Sequence, residues 1–180
     1  MLIERAHSAL LLVDVQERLA PAMHDVASCL ASCRLLIQAA RRLDVPIVVS
    51  EQYPKGLGHT VAEFADLLRP EQIHAKRHFA CTADPELAAV LEQLDRPQIV
   101  ICGMEAHVCV LQTALGLKAK GLAPAVAADA IAARRPDSRE LALARMRANG
   151  LEIVTAEMVV FEWLHQAGTP EFKAIMPLIK

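Results

Sequence analysis

Three residues of different chemical type stand where apolar runs stop. Asp14 follows Ser8-Ala9-Leu10-Leu11-Leu12-Val13, and Lys76 closes the short run from Gln72. Cys109 follows a second strongly apolar run, Gln98–Cys102, by seven residues. A carboxylate, an ammonium and a thiol make up a set for acyl transfer. The thiolate is the attacking form, and a helix N-terminus or a nearby cation lowers a thiol's pKa from about 8.5. A carboxylate can take the thiol proton and return it to a leaving amine. Amides early in a helix lack internal partners, so Val108 and Cys109 could hold an oxyanion. On this reading Cys109 has a depressed pKa and is the most reactive of the five cysteines, with Asp14 opposing the depression. Taken singly, each residue has a plainer reading: a turn or cap acid, a solvated lysine, a packed thiol. The set has meaning only if the fold brings its members together.

The elements that could do so alternate along the chain. Apolar runs read as strands at 8–14, 46–50, 72–76, 98–102, 124–128 and 151–154, apolar on both faces as central parallel strands are. Val26, Cys29, Leu30, Cys33, Ile37 and Ala40 recur at helical spacing between the first two. A short helix is predicted over 61–68. Asp84 and Pro85 read as the capped start of a helix to Leu94, and a further helix follows Glu105. Asp129–Arg135 reads as a loop. Asp137 with Glu140 reads as a capping box for a helix that Gly150 closes. Helical segments at 158–166 and 171–180 end the chain. The pattern predicts an α/β fold, a six-stranded parallel sheet with helices on both faces, in one domain spanning residues 1–180. In such sheets ligands bind at the carboxyl ends of the strands, near a topological switch point. All three candidate residues fall at those ends.

Composition narrows the partners. The chain has 180 residues, 54% of them hydrophobic and 22% charged, which suits a globular domain with a sizeable core. Its net charge is −2, with no long basic run, so nucleic acid is not the expected partner. The first apolar run is too short for a signal-peptide core or a membrane span, and a cytoplasmic location is expected. Cys29, Cys33, Cys81, Cys102 and Cys109 form no disulfide or zinc-knuckle spacing. His59, His74 and His78 form no tight ligand set and read as surface or structural histidines. No cofactor is implied.

Three segments resemble the isochorismatase-like cysteine hydrolases. Leu11-Leu12-Val13-Asp14-Val15-Gln16 is similar to the family's opening motif, where a strand ends in the catalytic acid. Ala75-Lys76-Arg77-His78-Phe79 is similar to the segment carrying its lysine. The most specific match is the nucleophile segment, Ile101-Cys102-Gly103-Met104-Glu105-Ala106-His107-Val108-Cys109-Val110-Leu111-Gln112-Thr113-Ala114. Ser50-Glu51-Gln52-Tyr53-Pro54-Lys55-Gly56-Leu57-Gly58 further resembles the branch of isochorismatase domain-containing proteins. The resemblance spans nearly the whole chain. It implies a three-layer α-β-α fold with strand order 3-2-1-4-5-6 and a catalytic Asp14, Lys76 and Cys109. It also implies a cis peptide at Met104–Glu105 and association into a homo-oligomer. Nicotinamidases of the superfamily hold a metal through an Asp and His pair after the second strand. Glu51-Gln52-Tyr53-Pro54 lacks that pair, so no metal is expected.

By their place near strand ends, Gln16, Gln52, Tyr53, Leu57, Phe79 and His107 are candidate pocket walls. Asp129 is a loop cap or an outer support of the site. The leading function is hydrolysis of a small amide or related acyl compound through a thioester on Cys109. The alternatives are vinyl-ether hydrolysis of isochorismate, a scaffold protein of the same fold, and a redox pair of Cys102 with Cys109. The Ala- and Leu-rich later helices and the apolar segment 174–179 are the expected surfaces for association.

Overall fold

A computed structural model describes residues 1–179. Its six strands are β1 (Ser8–Val13), β2 (Ile47–Gln52), β3 (Ile73–Lys76), β4 (Gln98–Met104), β5 (Ala123–Ala132) and β6 (Glu152–Val154). They form one sheet in the order β3-β2-β1-β4-β5-β6, every pair parallel, as expected. The helices are α1 (Val26–Arg42), the single turn α2 (Pro54–Leu57), α3 (Pro85–Gln93), α4 (Leu111–Ala119), α5 (Pro136–Ala148), α6 (Ala156–Leu164) and α7 (Pro170–Ile179).

Strand alternation divides the interior in two. Leu10 and Leu12 of β1, with Val100, Cys102 and Met104 of β4, face α1, α6 and α7. Ala9, Leu11 and Val13, with Ile99 and Ile101, face α3, α4 and α5. Successive side chains of a strand point to opposite faces. An uninterrupted apolar run therefore supplies both cores at once, and all six residues of β1 are buried.

At the switch point Val13 of β1 lies beside Gly103 of β4. Gly103 has φ +116°, and a Cβ there would fall 2.0 Å from the Val13 carbonyl oxygen. Only glycine permits this approach of two backbones. The Met104–Glu105 peptide that follows is cis.

The structure departs from the sequence reading in four places. β5 continues to Ala132, where a loop from Asp129 was expected. A register shift opposite Ile101–Gly103 absorbs the extra residues. Arg139 of α5 donates to the carbonyls of Ala128 and Ile131, giving this irregular stretch the partners a regular ladder would. The helix expected over 61–68 contracts to a tight turn, Ala62–Phe64. Arg34 and Arg41 of α1 donate to the carbonyls of Glu63 and Asp66, which a regular helix would use internally. The expected acidic caps form only in part. Asp84 is the N-cap residue of α3 with Pro85 in the first turn, as expected, but its side chain receives the Arg77 amide. Asp137 lies inside the first turn of α5 and pairs with Arg135. Finally, α7 spends its apolar face on its own core: Ile175 is fully buried, with Phe172 and Ile179 packed beside it. Part of the apolar surface expected for association is thus taken up by the core, while Ala174, Met176, Pro177 and Leu178 stay half-buried or exposed. No helix among the described residues is long and apolar enough to cross a membrane.

Candidate active site

The fold brings Asp14, Lys76 and Cys109 to one place. Asp14 follows the last residue of β1 at φ +51°. This is the left-handed region, which Asp tolerates better than most residues and which recurs at functional sites. The Lys76 Nζ lies 2.7 Å from Asp14 Oδ2, and both side chains are fully buried. Lys76 starts two strands away, and its stem spans the gap under β2. An ammonium has three N–H donors. Here they go to Asp14, to Gln52 Oε1 at 2.6 Å and to the Phe79 carbonyl at 3.2 Å. The other Asp14 oxygen accepts the Ser50 hydroxyl at 2.7 Å. The Cys109 thiol lies against the same carboxylate and is 6% exposed.

Cys109 sits in a single π-helical turn, Ala106–Val110, that leads into α4. Such turns are rare and concentrate at functional sites. The Val108 amide donates to the Glu105 carbonyl at 3.1 Å, so it is not the free oxyanion donor expected from the sequence. Glu105 itself pairs with Arg134 at 2.8 Å.

The electrostatics also correct one expectation. Burial, joined by the negative charge of Asp14, pushes the Cys109 thiol up, and Lys76 only partly offsets this. Burial likewise raises Asp14 against the pull of Lys76 and Ser50. Both shifts oppose ionisation, and the Asp14 side chain lies where it can exchange a proton with the Cys109 thiol.

Of the residues read as pocket walls, Gln16 does not serve as one. It is fully buried, and its amide is spent on backbone: Nε2 donates to the carbonyls of Gln52 and Gly58, and Oε1 accepts from the Gln52 amide. Gln16 thus clamps the end of β2, while Gln52 holds the lysine. Tyr53 and Phe79 stand exposed at the rim. Tyr53 lines a cleft of about 430 Å³ with Lys55, Arg77 and Glu86. Leu57 and His107 are half-buried, and His107 Nδ1 has no hydrogen-bond partner in the protein. Asp129 accepts the Ala156 amide at the start of α6, a cap role away from the thiol.

Sequence reading missed Ser50. The signal was there: Ser50 and Gln52 alternate along β2, so both face the site while Glu51 faces away. Glu51 instead receives Thr60 and His59. Among the described residues no group of three or more His, Cys, Asp or Glu side chains is arranged to hold a metal ion.

A three-layer α/β protein with an acid, a cation and a thiol at the switch point is the class that fold and geometry define. The isochorismatase domain model matches residues 8–158, and the chain belongs to that family. The zebrafish (Danio rerio) isochorismatase domain-containing protein 2 is 35% identical over 173 residues, covering 96% of this chain and 86% of the relative. A secreted isochorismatase effector, Isc1, of Phytophthora sojae is 37% identical over 180 residues, covering 97% and 85%. Among solved structures, a MAR1 ribonuclease from Caenorhabditis elegans superposes with a TM-score of 0.92 at 34% identity, covering 99% of this chain and 92% of that one.

Proposed function

We propose that the protein hydrolyses a small amide or related acyl compound through a thioester on Cys109, with Asp14 as proton carrier and Lys76 as its counter-ion. The observation that carries this reading is Asp14 itself, fully buried between the ammonium of Lys76 and the thiol of Cys109. As sulfur attacks the carbonyl carbon, the thiol proton passes to Asp14. The tetrahedral intermediate collapses, the C–N bond breaks, and Asp14 gives its proton to the departing amine. Asp14 then takes a proton from water, whose oxygen attacks the thioester. The carboxylic acid leaves, and the proton returns to sulfur. Lys76 stays protonated and balances the negative charge that moves between Asp14 and sulfur. The Cys109 amide is the oxyanion donor in this scheme. His107, Leu57, Tyr53 and Phe79 supply the pocket walls.

A screen of small amides, with mass spectrometry of the acid-quenched protein, tests the reading. The expected result is an acyl adduct on Cys109 that is absent from Cys109→Ala. Turnover of isochorismate that survives Cys109→Ala would instead place the chemistry with the vinyl-ether hydrolases. Cleavage of RNA that survives it would point to the activity named for the C. elegans neighbour.

Association as a homo-oligomer and a cytoplasmic location belong to the same reading. The first draws support from Leu141 on α5 and from Met158 and Phe161 on α6, all of them exposed.

A further inference from the structure

The proposed hydrolysis leaves one buried thiol at the site without a use. Cys81 is fully buried, in a tight turn two residues after Phe79, whose carbonyl holds Lys76. That turn is fastened to the helix that follows Cys109. The Cys81 amide donates to the Thr113 hydroxyl at 2.9 Å, and Thr113 is one helical turn beyond Cys109. Next along that helix, Gly116 leaves room for Thr82: a Cβ at Gly116 would lie 2.1 Å from the Thr82 hydroxyl. Residues four and seven positions apart share a helix face. The 81–82 turn therefore runs along the face of α4 that starts at Cys109. The Cys81 thiol is near enough to the site for the Thr113 and Ser50 hydroxyls and the charges of Lys76 and Asp14 to act on it. Cys81 and Cys109 also belong to the same core, and each charge at Cys81 is felt at Cys109. Cys102 points through the other face of the sheet, so the redox pairing of Cys102 with Cys109 considered from the sequence is not available.

We infer that Cys81 is a resolving thiol for Cys109: oxidation of Cys109 by hydrogen peroxide ends in a Cys81–Cys109 disulfide and not in an over-oxidised sulfur. The step balances as follows. Asp14 takes the Cys109 proton, and the sulfur attacks the peroxide oxygen. The O–O bond breaks, leaving a sulfenic acid on Cys109 and a hydroxide that leaves as water with the Asp14 proton. The Cys81 sulfur then attacks the Cys109 sulfur. The S–O bond breaks, and the hydroxide takes the Cys81 proton as a second water. Two thiols are oxidised and one peroxide is reduced, which is the course of sulfenic acid resolution generally. A thiol held in the same core, on the turn that runs along the helix face starting at Cys109, competes well against a second peroxide molecule. The same site would thus be a reversible switch for peroxide as well as a hydrolytic centre.

The inference uses the proton acceptor of the hydrolase reading but not its substrate, so the two are tested apart. The reduced protein is exposed to hydrogen peroxide, capped with N-ethylmaleimide, and digested without reductant. The expected product is a peptide pair linked through Cys81 and Cys109. Iodoacetamide labelling of Cys109 is lost and then restored by dithiothreitol. In Cys81→Ala, the same treatment yields sulfinic acid at Cys109, and dithiothreitol restores no labelling. Wild-type protein carrying sulfinic Cys109 beside a capped Cys81 would overturn the inference, whatever the variant does. So would recovery by dithiothreitol that is the same with and without Cys81. Acyl trapping on the reduced protein judges the hydrolase reading separately. Linkage without trapping removes only the hydrolase, and trapping without linkage removes only the switch.

Discussion

The two faces of the sheet hold two sets of thiols in different surroundings. On one face Cys29 and Cys33 of α1 lie close to Cys102 of β4. The Cys33 sulfur bonds the Ala130 carbonyl at 3.3 Å, and Cys102 reaches the Leu11 carbonyl at 3.9 Å. On the other face Cys81 and Cys109 surround the Asp14–Lys76 pair. Burial and neighbouring groups raise the pKa on both sides. Cys29 is held up first by its bond to Cys33 and then by burial, Cys33 by its bond to Cys102, and Cys109 by burial and Asp14. Resting acidity therefore does not single out the proposed nucleophile. What singles out Cys109 is a carboxylate within proton-transfer reach, a cation to hold the charge, and a small opening to solvent. Chemistry at a thiol depends on where its proton can go, and Cys109 has a carboxylate hydrogen-bonded directly to it.

The largest expected effect that would break this contrast is on turnover. Cys109→Ala should reduce amide hydrolysis on the order of 10⁶-fold, as loss of a nucleophile does elsewhere, measured as steady-state rate on the best amide from the screen. Cys33→Ala should leave that rate close to wild type. The next effect is on stability. Lys76→Met leaves Asp14 buried without its partner, which costs about 3–5 kcal/mol, read from urea unfolding. Adding Asp14→Asn should recover most of the loss, because the pair is then replaced as a unit.

A smaller effect is on pH dependence. Since the Cys109 pKa is raised, its labelling by iodoacetamide should climb with every step in pH through neutrality and beyond pH 9 without levelling. A depressed thiol would level near neutrality. Asp14→Asn removes one of the groups that raise it, so the climb should move to lower pH. The smallest effect belongs to the other face, where Cys33→Ala should lower stability by roughly 1–3 kcal/mol through lost packing. Loss of turnover from Cys33→Ala at unchanged stability would end the comparison.

Much of this was legible in the sequence. Uninterrupted apolar runs mark strands buried on both faces, and an acid, a lysine and a thiol at their ends mark the site. What was not legible has a common physical cause. Gln16 and Gln52 look alike on paper, yet one is consumed by backbone and the other by an ammonium, and only the three-dimensional path of the 52–58 loop decides which. The continuation of β5 past Asp129 depends on Arg139, a residue of the next helix. The direction of the Cys109 pKa required knowing that burial is nearly complete, which no local spacing tells. Strand alternation could have flagged Ser50, since it shares a face with Gln52.

The position of Lys76 sets the order in which the site comes apart. Asp14 and the approach to Cys109 hang from the two innermost strands, whereas the ammonium rides on β3, four residues long and bonded to β2 alone. Local opening draws on the least supported elements of a fold. A warmed or mildly denatured molecule should therefore loosen its cation before the acid and the sulfur lose their places. Partial opening of β3 would then leave the molecule folded in most of its amides yet electrostatically unbalanced at its centre, so the hold of four residues at the rim should limit the site before the core does.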